Sequence, residues 1–153
     1  MTISTPTSMT ATRKAPPVNS QKDSADRSAA RRVLDHAKQG LDALSAGLDD
    51  GFIKSLDILS GVEGRVIVSG MGKSGHVGGK IAATLASTGT PAFFVHAAEA
   101  SHGDLGMIAT GDAVLAISNS GETPELADLI SYTRRFGIPL VAITGRAGSS
   151  LAT

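Results

Sequence analysis

The sequence contains no cysteine, which excludes disulfides, thiolate nucleophiles and cysteine-ligated metals. Basic and acidic side chains balance at 14 each, so no net field attracts nucleic acid or an anionic membrane surface. No apolar run approaches the roughly 18 residues of a membrane span, and the N-terminus has no apolar signal core. We therefore predict a soluble, cytoplasmic protein with no nucleic-acid or membrane partner.

The length of 153 residues favours one domain with a substantial core. Residues 1–22 are rich in serine, threonine and proline, hold basic but no acidic residues, and lack apolar periodicity. Such a segment cannot bury enough apolar surface to fold, so we predict a disordered tail over 1–22 and the domain over 23–153. An organellar transit peptide is the alternative interpretation of the tail.

Two periodicities follow one another along the domain. Apolar residues spaced three and four apart predict a helix over 29–48, and a second helix is expected over 51–59. From Arg65 onward, four nearly continuous apolar runs alternate with helical patterns, as in parallel sheets covered on both faces. We predict a doubly wound, three-layer α/β fold. Its strands are expected in "RVIVSG", "PAFFVH", "AVLAISNS" and "PLVAITG", and its helices over 74–88, 98–103 and 124–136.

The turn after the first predicted strand reads "SGMGKSGH" and offers three phosphate-binding interpretations. A Walker A loop needs a glycine where Ile67 stands, and is excluded. A dinucleotide site needs an acid at the end of the second strand, where His96 stands, so this interpretation is weak. What remains is a glycine-rich turn with free N–H groups at a helix N-terminus, strengthened by Lys73.

The turn after the third predicted strand, "ISNSGETPE", is a second candidate anion-binding turn before a helix. Thr123 followed by Pro124 is a good helix start, and capping alone could explain this threonine. Capping does not explain the adjacent hydroxyls of Ser118 and Ser120. Hydroxyls and bared N–H groups at a second helix N-terminus predict an anion cradle sized for one phosphate.

These motifs resemble sugar isomerase (SIS) domains, in particular bacterial arabinose 5-phosphate isomerases. The resemblance runs from about residue 34 to residue 151, through "GMGKSGHVGGKIAATLASTGTPAFFVHAAEASHGDLGMI", "ISNSGETPE" and "PLVAITGR". It implies a flavodoxin-like αβα fold and interconversion of D-ribulose 5-phosphate and D-arabinose 5-phosphate through an enediol, on the route to Kdo and lipopolysaccharide. It also implies a homo-oligomer, tetrameric in the full-length family, and no required cofactor.

The resemblance assigns site residues by position. Lys73 would stabilise developing charge at the carbonyl, and Glu125 would transfer the proton, although a glutamate in a first helical turn is also ordinary dipole pairing. His96 further matches a zinc position that is optional or inhibitory in the family, since enediol proton transfer needs no metal. The implied substrate-binding residues are Ser74, Ser118, Ser120 and Thr123 for the phosphate, and Gly89, Thr90, His96 and His102 for the sugar.

Other polar residues have simpler interpretations. His36 and His76 are expected to be structural or solvent-facing. Helix capping and surface solvation are the preferred explanations of three residues in the loop after the second strand, which remain in reserve as site residues. These three are Glu99, Ser101 and Asp104.

The sequence also departs from the family pattern. The family's domain continues past the position of Thr153, with a further glutamate and histidine and usually a pair of CBS modules. We therefore expect the first part of an isomerase, with "SSLAT" starting a helix, the fourth strand left as an apolar edge, and little activity alone. Two alternatives stay open, an isomerase of another sugar phosphate and a non-catalytic sugar-phosphate-binding module; DNA binding is not predicted, because "RSAARR" lacks a helix-turn-helix around it.

Overall fold

A computed structural model describes residues 20–153, with side chains from residue 24 onward. The chain divides into two compact units, one ending at Leu48 and one spanning Asp49–Thr153. Of the predicted tail, residues 1–19 lie outside the described residues, and residues 20–22 are helical. The extent of the domain, 23–153, stays a prediction.

The described part of the first unit contains one helix, α1 (Ser20–Ala46). It begins nine residues before the predicted start, because the preceding stretch is polar but contains neither glycine nor proline to stop a helix. The last residue of this stretch, Ser28, accepts a hydrogen bond through its hydroxyl from the Arg32 guanidinium, at 3.1 Å. The helix ends before Gly47, two residues short of prediction. Its apolar stripe is largely exposed, at Val33, Leu34, Leu41 and Leu44.

The second unit alternates strands and helices, as predicted. No helix in the described part of the chain combines the length and apolar character needed to cross a bilayer. The strands are β1 (Val66–Gly70), β2 (Ala92–His96), β3 (Ala113–Ser118) and β4 (Leu140–Thr144). The helices are α2 (Asp50–Ser60), α3 (Gly72–Ser87), α4 (Ala97–Ser101) and α5 (Ala127–Phe136), with short 3-10 helices at Asp104–Met107 and Pro124–Leu126.

The four strands form one parallel sheet in the order β2-β1-β3-β4. After β1 the chain moves outward to β2 and then returns across β1 to β3, so the strand order reverses between the two central strands. The register keeps the carboxyl ends level: Gly70 lies opposite both His96 and Ile117, and Ser118 lies opposite Thr144. The crevice favoured by ligands in such sheets therefore opens between β1 and β3.

Alternate residues of the strands enter two separate cores. Val66 and Val68 face a cluster that includes Ala82 of α3, while Ile67 faces a cluster that includes Leu129 of α5. Both clusters consist of buried side chains, because helices cover both faces of the central strands. The predicted three-layer α/β architecture is confirmed.

The C-terminal half of the unit differs from prediction in local detail. The predicted helix over 124–136 starts with a 3-10 turn and becomes α-helical at Ala127. β4 is an edge strand, as expected, and Ile143 is half exposed. The expected helix start at "SSLAT" is a set of turns. The Ser149 carbonyl accepts from the Thr153 N–H at 3.2 Å, with α-helical spacing, and from the Ala152 N–H at 3.0 Å, with 3-10 spacing.

Candidate anion and sugar-phosphate site

Two loops leave the carboxyl ends of the neighbouring central strands. We call residues 70–75, which run from the end of β1 into the first turn of α3, the glycine turn. Residues 118–123, from the end of β3 to the 3-10 turn at Pro124, are the serine loop. β1 and β3 are paired directly, so both loops border the crevice at the reversal of strand order.

The glycine turn is shaped by the absence of side chains. A Cβ on Gly75 would lie 2.9 Å from the Gly70 carbonyl oxygen, and one on Gly70 would lie 3.0 Å from the carbonyl oxygen of Ile117. Only glycine permits this close approach of α3 to the sheet, and Gly72 also adopts a left-handed φ of 51°. The resulting turn brings the N-terminus of α3 to the crevice.

The first turn of α3 contains backbone N–H groups that make no hydrogen bond among the described residues. The capping position, Met71, supplies no side-chain hydrogen bond, and only the N–H of Gly75 bonds back to its carbonyl, at 3.1 Å. The N–H groups of Lys73 and Ser74 have no partner among the described residues. The Lys73 side chain is exposed and makes no ion pair within residues 24–153, while Ser74 is half-buried. This end of α3 therefore suits an anion.

The serine loop is shaped by hydrogen bonds between its own side chains. The hydroxyl of Ser118 lies 2.7 Å from the hydroxyl of Thr123 and 3.5 Å from that of Ser120, and accepts from the Gly121 N–H at 3.0 Å. The Ser120 hydroxyl accepts from the Glu122 N–H at 3.2 Å. Ser118, 3% exposed, is the buried centre of this network.

Thr123 precedes the 3-10 turn at the capping position, as predicted, but its hydroxyl makes no capping bond. The hydroxyl instead contacts Ser118, so capping does not account for this side chain. The N–H groups of Ser120 and Thr123 have no partner among the described residues and are available to a ligand. Glu125, half-buried in the 3-10 turn, follows two residues later and makes no hydrogen bond within the described side chains.

The sequence reasoning missed a residue of the serine loop, Glu122. Its two carboxylate oxygens accept from the N–H of Ser150, at 2.9 Å, and from the Ser150 hydroxyl, at 2.7 Å. These bonds, the hydroxyl first, lower the pKa of Glu122 below its usual 4.5, with a further contribution from Arg146. The partners are 28 residues apart, and no local pattern in the sequence links them.

The predicted histidines separate into two places. His96 ends β2 beside Gly70 and lines a shallow pocket of about 310 Å³ with the exposed His76, Phe94 and glycines of α3. His102 lies exposed just after α4. Within the described residues no three potential ligands cluster, so this chain's described part does not supply a zinc set around His96. Zinc at His96 stays a prediction.

Gly89 and Thr90 lie elsewhere. They form the turn between α3 and β2, at the amino edge of the sheet, where the N–H of Thr90 bonds to the Leu85 carbonyl at 2.9 Å. The length of β2, about 3.3 Å per residue over five residues, separates them from the rim that carries His96. Within one chain they do not line the crevice with Lys73.

The three further polar residues considered for the site follow β2, at the carboxyl edge of the sheet where the crevice lies. Glu99 and Ser101 belong to α4, and Asp104 starts the 3-10 helix after it. None makes a side-chain hydrogen bond within the described residues, so the expected capping role is not seen. His36 is exposed on α1, in the other unit.

Comparison with known proteins identifies close relatives. The profile described as "SIS domain" matches residues 59–153. Over 123 residues the chain is 55% identical to Arabinose 5-phosphate isomerase KdsD of Pseudomonas aeruginosa, covering 80% of this chain and 38% of that protein. Over 124 residues it is 50% identical to KdsD of Salmonella typhi, covering 81% and 38%. The chain thus spans about 38% of the length of these curated relatives.

A solved structure agrees with this assignment. The structure of a protein of E. coli CFT073 in complex with arabinose 5-phosphate superposes with a TM-score of 0.70 at 41% sequence identity, covering 82% of this chain and 69% of that one. The matched profile contains all four strands and both loops of the crevice. It covers 95 of the 153 residues. This chain belongs to the SIS domain family.

Proposed function

We propose that the crevice binds a pentose phosphate and that the protein interconverts D-arabinose 5-phosphate and D-ribulose 5-phosphate. The observation that carries the proposal is the pair of loops at the reversal of strand order, which have N–H donors and a lysine without partners among the described residues. The names of the relatives, which are arabinose 5-phosphate isomerases, select the sugar.

In this proposal the serine loop anchors the phosphate. The N–H groups of Ser120 and Thr123 donate to phosphate oxygens, and the hydroxyls of Ser118 and Thr123, already 2.7 Å apart, orient the site. Ser74 adds its free N–H from α3. Backbone donors held in place before binding cost little reorganisation, which favours a small, highly charged ligand.

The chemistry then requires one base and one source of positive charge. Glu125 would take the proton from C2 of the aldose, leaving an enediolate, and return it to C1 to give the ketose, while the proton of the C2 hydroxyl passes to the oxygen on C1. Lys73, unpaired and exposed among the described residues, would stabilise the negative oxygen. The reaction is an intramolecular oxidation and reduction, so no external oxidant or cofactor enters the balance.

An oligomer belongs to the same proposal. If Gly89 and Thr90 contact the sugar, they must come from a second copy, because their own chain holds them at the amino edge of the sheet. The exposed apolar stripe of α1 also favours association in water. We propose a cytoplasmic homo-oligomer, tetrameric like the full-length family, whose sites use residues of two copies.

The test replaces Lys73 or Glu125 by alanine in the protein at its natural full length. We expect each change to remove most turnover of arabinose 5-phosphate and to leave the melting temperature unchanged, since neither side chain has a partner among the described residues. Lys80→Ala, an exposed lysine further along α3, is the matched control and should retain activity. Light scattering on the same samples measures the oligomeric state.

Four outcomes would contradict parts of this proposal. Near-normal turnover in either variant removes the assigned role of that residue. Binding of arabinose 5-phosphate without turnover in the wild type favours a non-catalytic sugar-phosphate-binding module, and turnover of a different sugar phosphate alone changes the substrate. A fully active monomer excludes a site shared between copies.

A further inference from the structure

Glu122 presents a physical problem in a site proposed for phosphate. It lies inside the serine loop between Ser120 and Thr123, whose N–H groups are the proposed phosphate donors. A carboxylate at such a place would repel phosphate if its charge faced the ligand. In the structure both carboxylate oxygens are instead engaged by Ser150, through its N–H and its hydroxyl.

The contact with Ser150 is one of three between the serine loop and the segment after β4. The Asn119 carbonyl accepts from the Gly145 N–H, and the Gly121 carbonyl accepts from the Leu151 N–H, both at 3.1 Å. We call residues 145–151 the clamp segment. It is anchored to the fold because the Leu151 side chain is buried in the core cluster that includes Leu129 of α5. A bond from the Ser149 hydroxyl to the Arg146 carbonyl, at 2.7 Å, holds the segment together internally.

These bonds determine where the N–H groups of the loop point. In a planar trans peptide the C=O and the following N–H point in opposite directions. Holding the Asn119 carbonyl against the clamp segment therefore turns the N–H of Ser120 away from it, and this N–H is one of the donors without a partner among the described residues. Loss of the clamp would free the loop to rotate these donors out of position.

We propose that Glu122 is a positioning residue of the phosphate-binding loop. Through Ser150 it fixes the serine loop to the clamp segment, which presents the donors of the loop to the anion and keeps its own charge turned aside. This inference rests on the proposed function, because it assigns Glu122 to the same site. Since Glu122 touches neither the sugar nor the reacting carbons in this scheme, it acts on substrate affinity and not on the chemical step.

The experiment measures KM, kcat and the Kd of arabinose 5-phosphate for the wild type and for Glu122→Ala, Ser150→Ala and the double variant. We expect each single change to raise KM and Kd about 3- to 10-fold, the range for one exposed charge-assisted contact, with kcat within about twofold of wild type. The double variant should be no weaker than the worse single one, because both act through one contact. Glu63→Ala, an exposed glutamate with no hydrogen bond among the described residues, is the control and should be unchanged.

Hydrogen exchange provides a readout that does not depend on the substrate. Glu122→Ala should speed amide exchange in peptides covering 118–123 and 145–151 while leaving β1 protected. Glu122→Gln, which keeps one acceptor oxygen, should give a smaller change and serves if the alanine variant unfolds. Unchanged exchange, unchanged Kd, or a fall in kcat at constant KM would each overturn the positioning role.

Failure of the proposed function can be told apart from failure of this inference. If the wild type does not bind arabinose 5-phosphate, the proposed substrate is wrong, and the affinity series is repeated with inorganic phosphate as the probe. Weaker phosphate binding in Glu122→Ala, together with faster exchange, then still supports the positioning role. Equal phosphate binding in both proteins overturns it.

Discussion

The glycine turn and the serine loop occupy equivalent places, each at the carboxyl end of a central strand and before a helix, but they are held in different ways. Steric fit holds the glycine turn, where backbone atoms lie so close to Gly70 and Gly75 that a Cβ at either position would be within 3.0 Å of a carbonyl oxygen. Hydrogen bonds hold the serine loop, where Ser118 contacts three neighbours.

This difference decides which residues remain free for a ligand. A turn shaped by glycine leaves its polar side chains unused, so Lys73 can serve a ligand without affecting the fold. A loop shaped by its own hydroxyls would, in the proposed site, use the same atoms for stability and for recognition. Substitutions in the serine loop should therefore change stability and binding together, whereas polar substitutions in the glycine turn should change binding alone.

The largest predicted effect compares glycines with positive φ in the two loops. At both Gly121 (φ 66°) and Gly72 (φ 51°) a left-handed alanine costs about 1 kcal/mol. A Cβ at Gly121 would also overlap the Ser149 hydroxyl, whereas one at Gly72 meets nothing within 4 Å. We expect Gly121→Ala to lower the free energy of unfolding by roughly 2–4 kcal/mol and Gly72→Ala by about 1 kcal/mol or less, measured by urea denaturation. Equal losses would mean that the clamp segment moves to accommodate the new Cβ at little energetic cost.

A second pair compares serines near the ends of the central strands. The Ser69 hydroxyl is fully buried in β1 and has no partner among the described residues, whereas the nearly buried Ser118 hydroxyl is the centre of a network. Ser69→Ala removes an unsatisfied group and should raise the free energy of unfolding by about 1 kcal/mol. Ser118→Ala leaves its hydrogen-bond partners unsatisfied and should lower the free energy of unfolding by roughly 1–2 kcal/mol. Two losses of similar size would mean that Ser69 is bonded in solution.

The fold could be predicted from the sequence where one physical signal dominates. Nearly continuous apolar runs identified all four strands, each five or six residues long. The signal follows from burial on both faces in the central strands β1 and β3, whereas the edge strands β2 and β4 are only partly buried. The N-terminus of α3 could be located by "SGMGKSGH", since only glycine allows the close backbone approach and the positive φ of this turn. The start of α1 was missed, because a polar stretch without glycine or proline carries no periodic signal.

The site was predictable only in part, because its contacts join distant positions. Hydroxyl clustering identified the serine loop, but not that Thr123 would turn to Ser118 in place of capping the helix. The bonds between Glu122 and Ser150 depend on β3 and β4 being neighbours, and the spacing of the residues does not encode this. The predicted roles of Lys73 and Glu125 remain predictions that the activity assay will decide.

The smallest effect tests the clamp by pH. Because Ser150 and Arg146 lower the pKa of Glu122 below 4.5, the ionised carboxylate stabilises the folded state above that pH, and this stabilisation is lost as the pH falls through the lowered pKa. The difference in melting temperature between wild type and Glu122→Gln should therefore be present at pH 7 and shrink below pH 4.5. In a Ser150→Ala background the same comparison should vary less with pH, because the hydroxyl is the largest cause of the shift. The serine loop would then be the one loop of the two whose rigidity depends on a charge, and a difference that is constant from neutral to strongly acidic pH would contradict this.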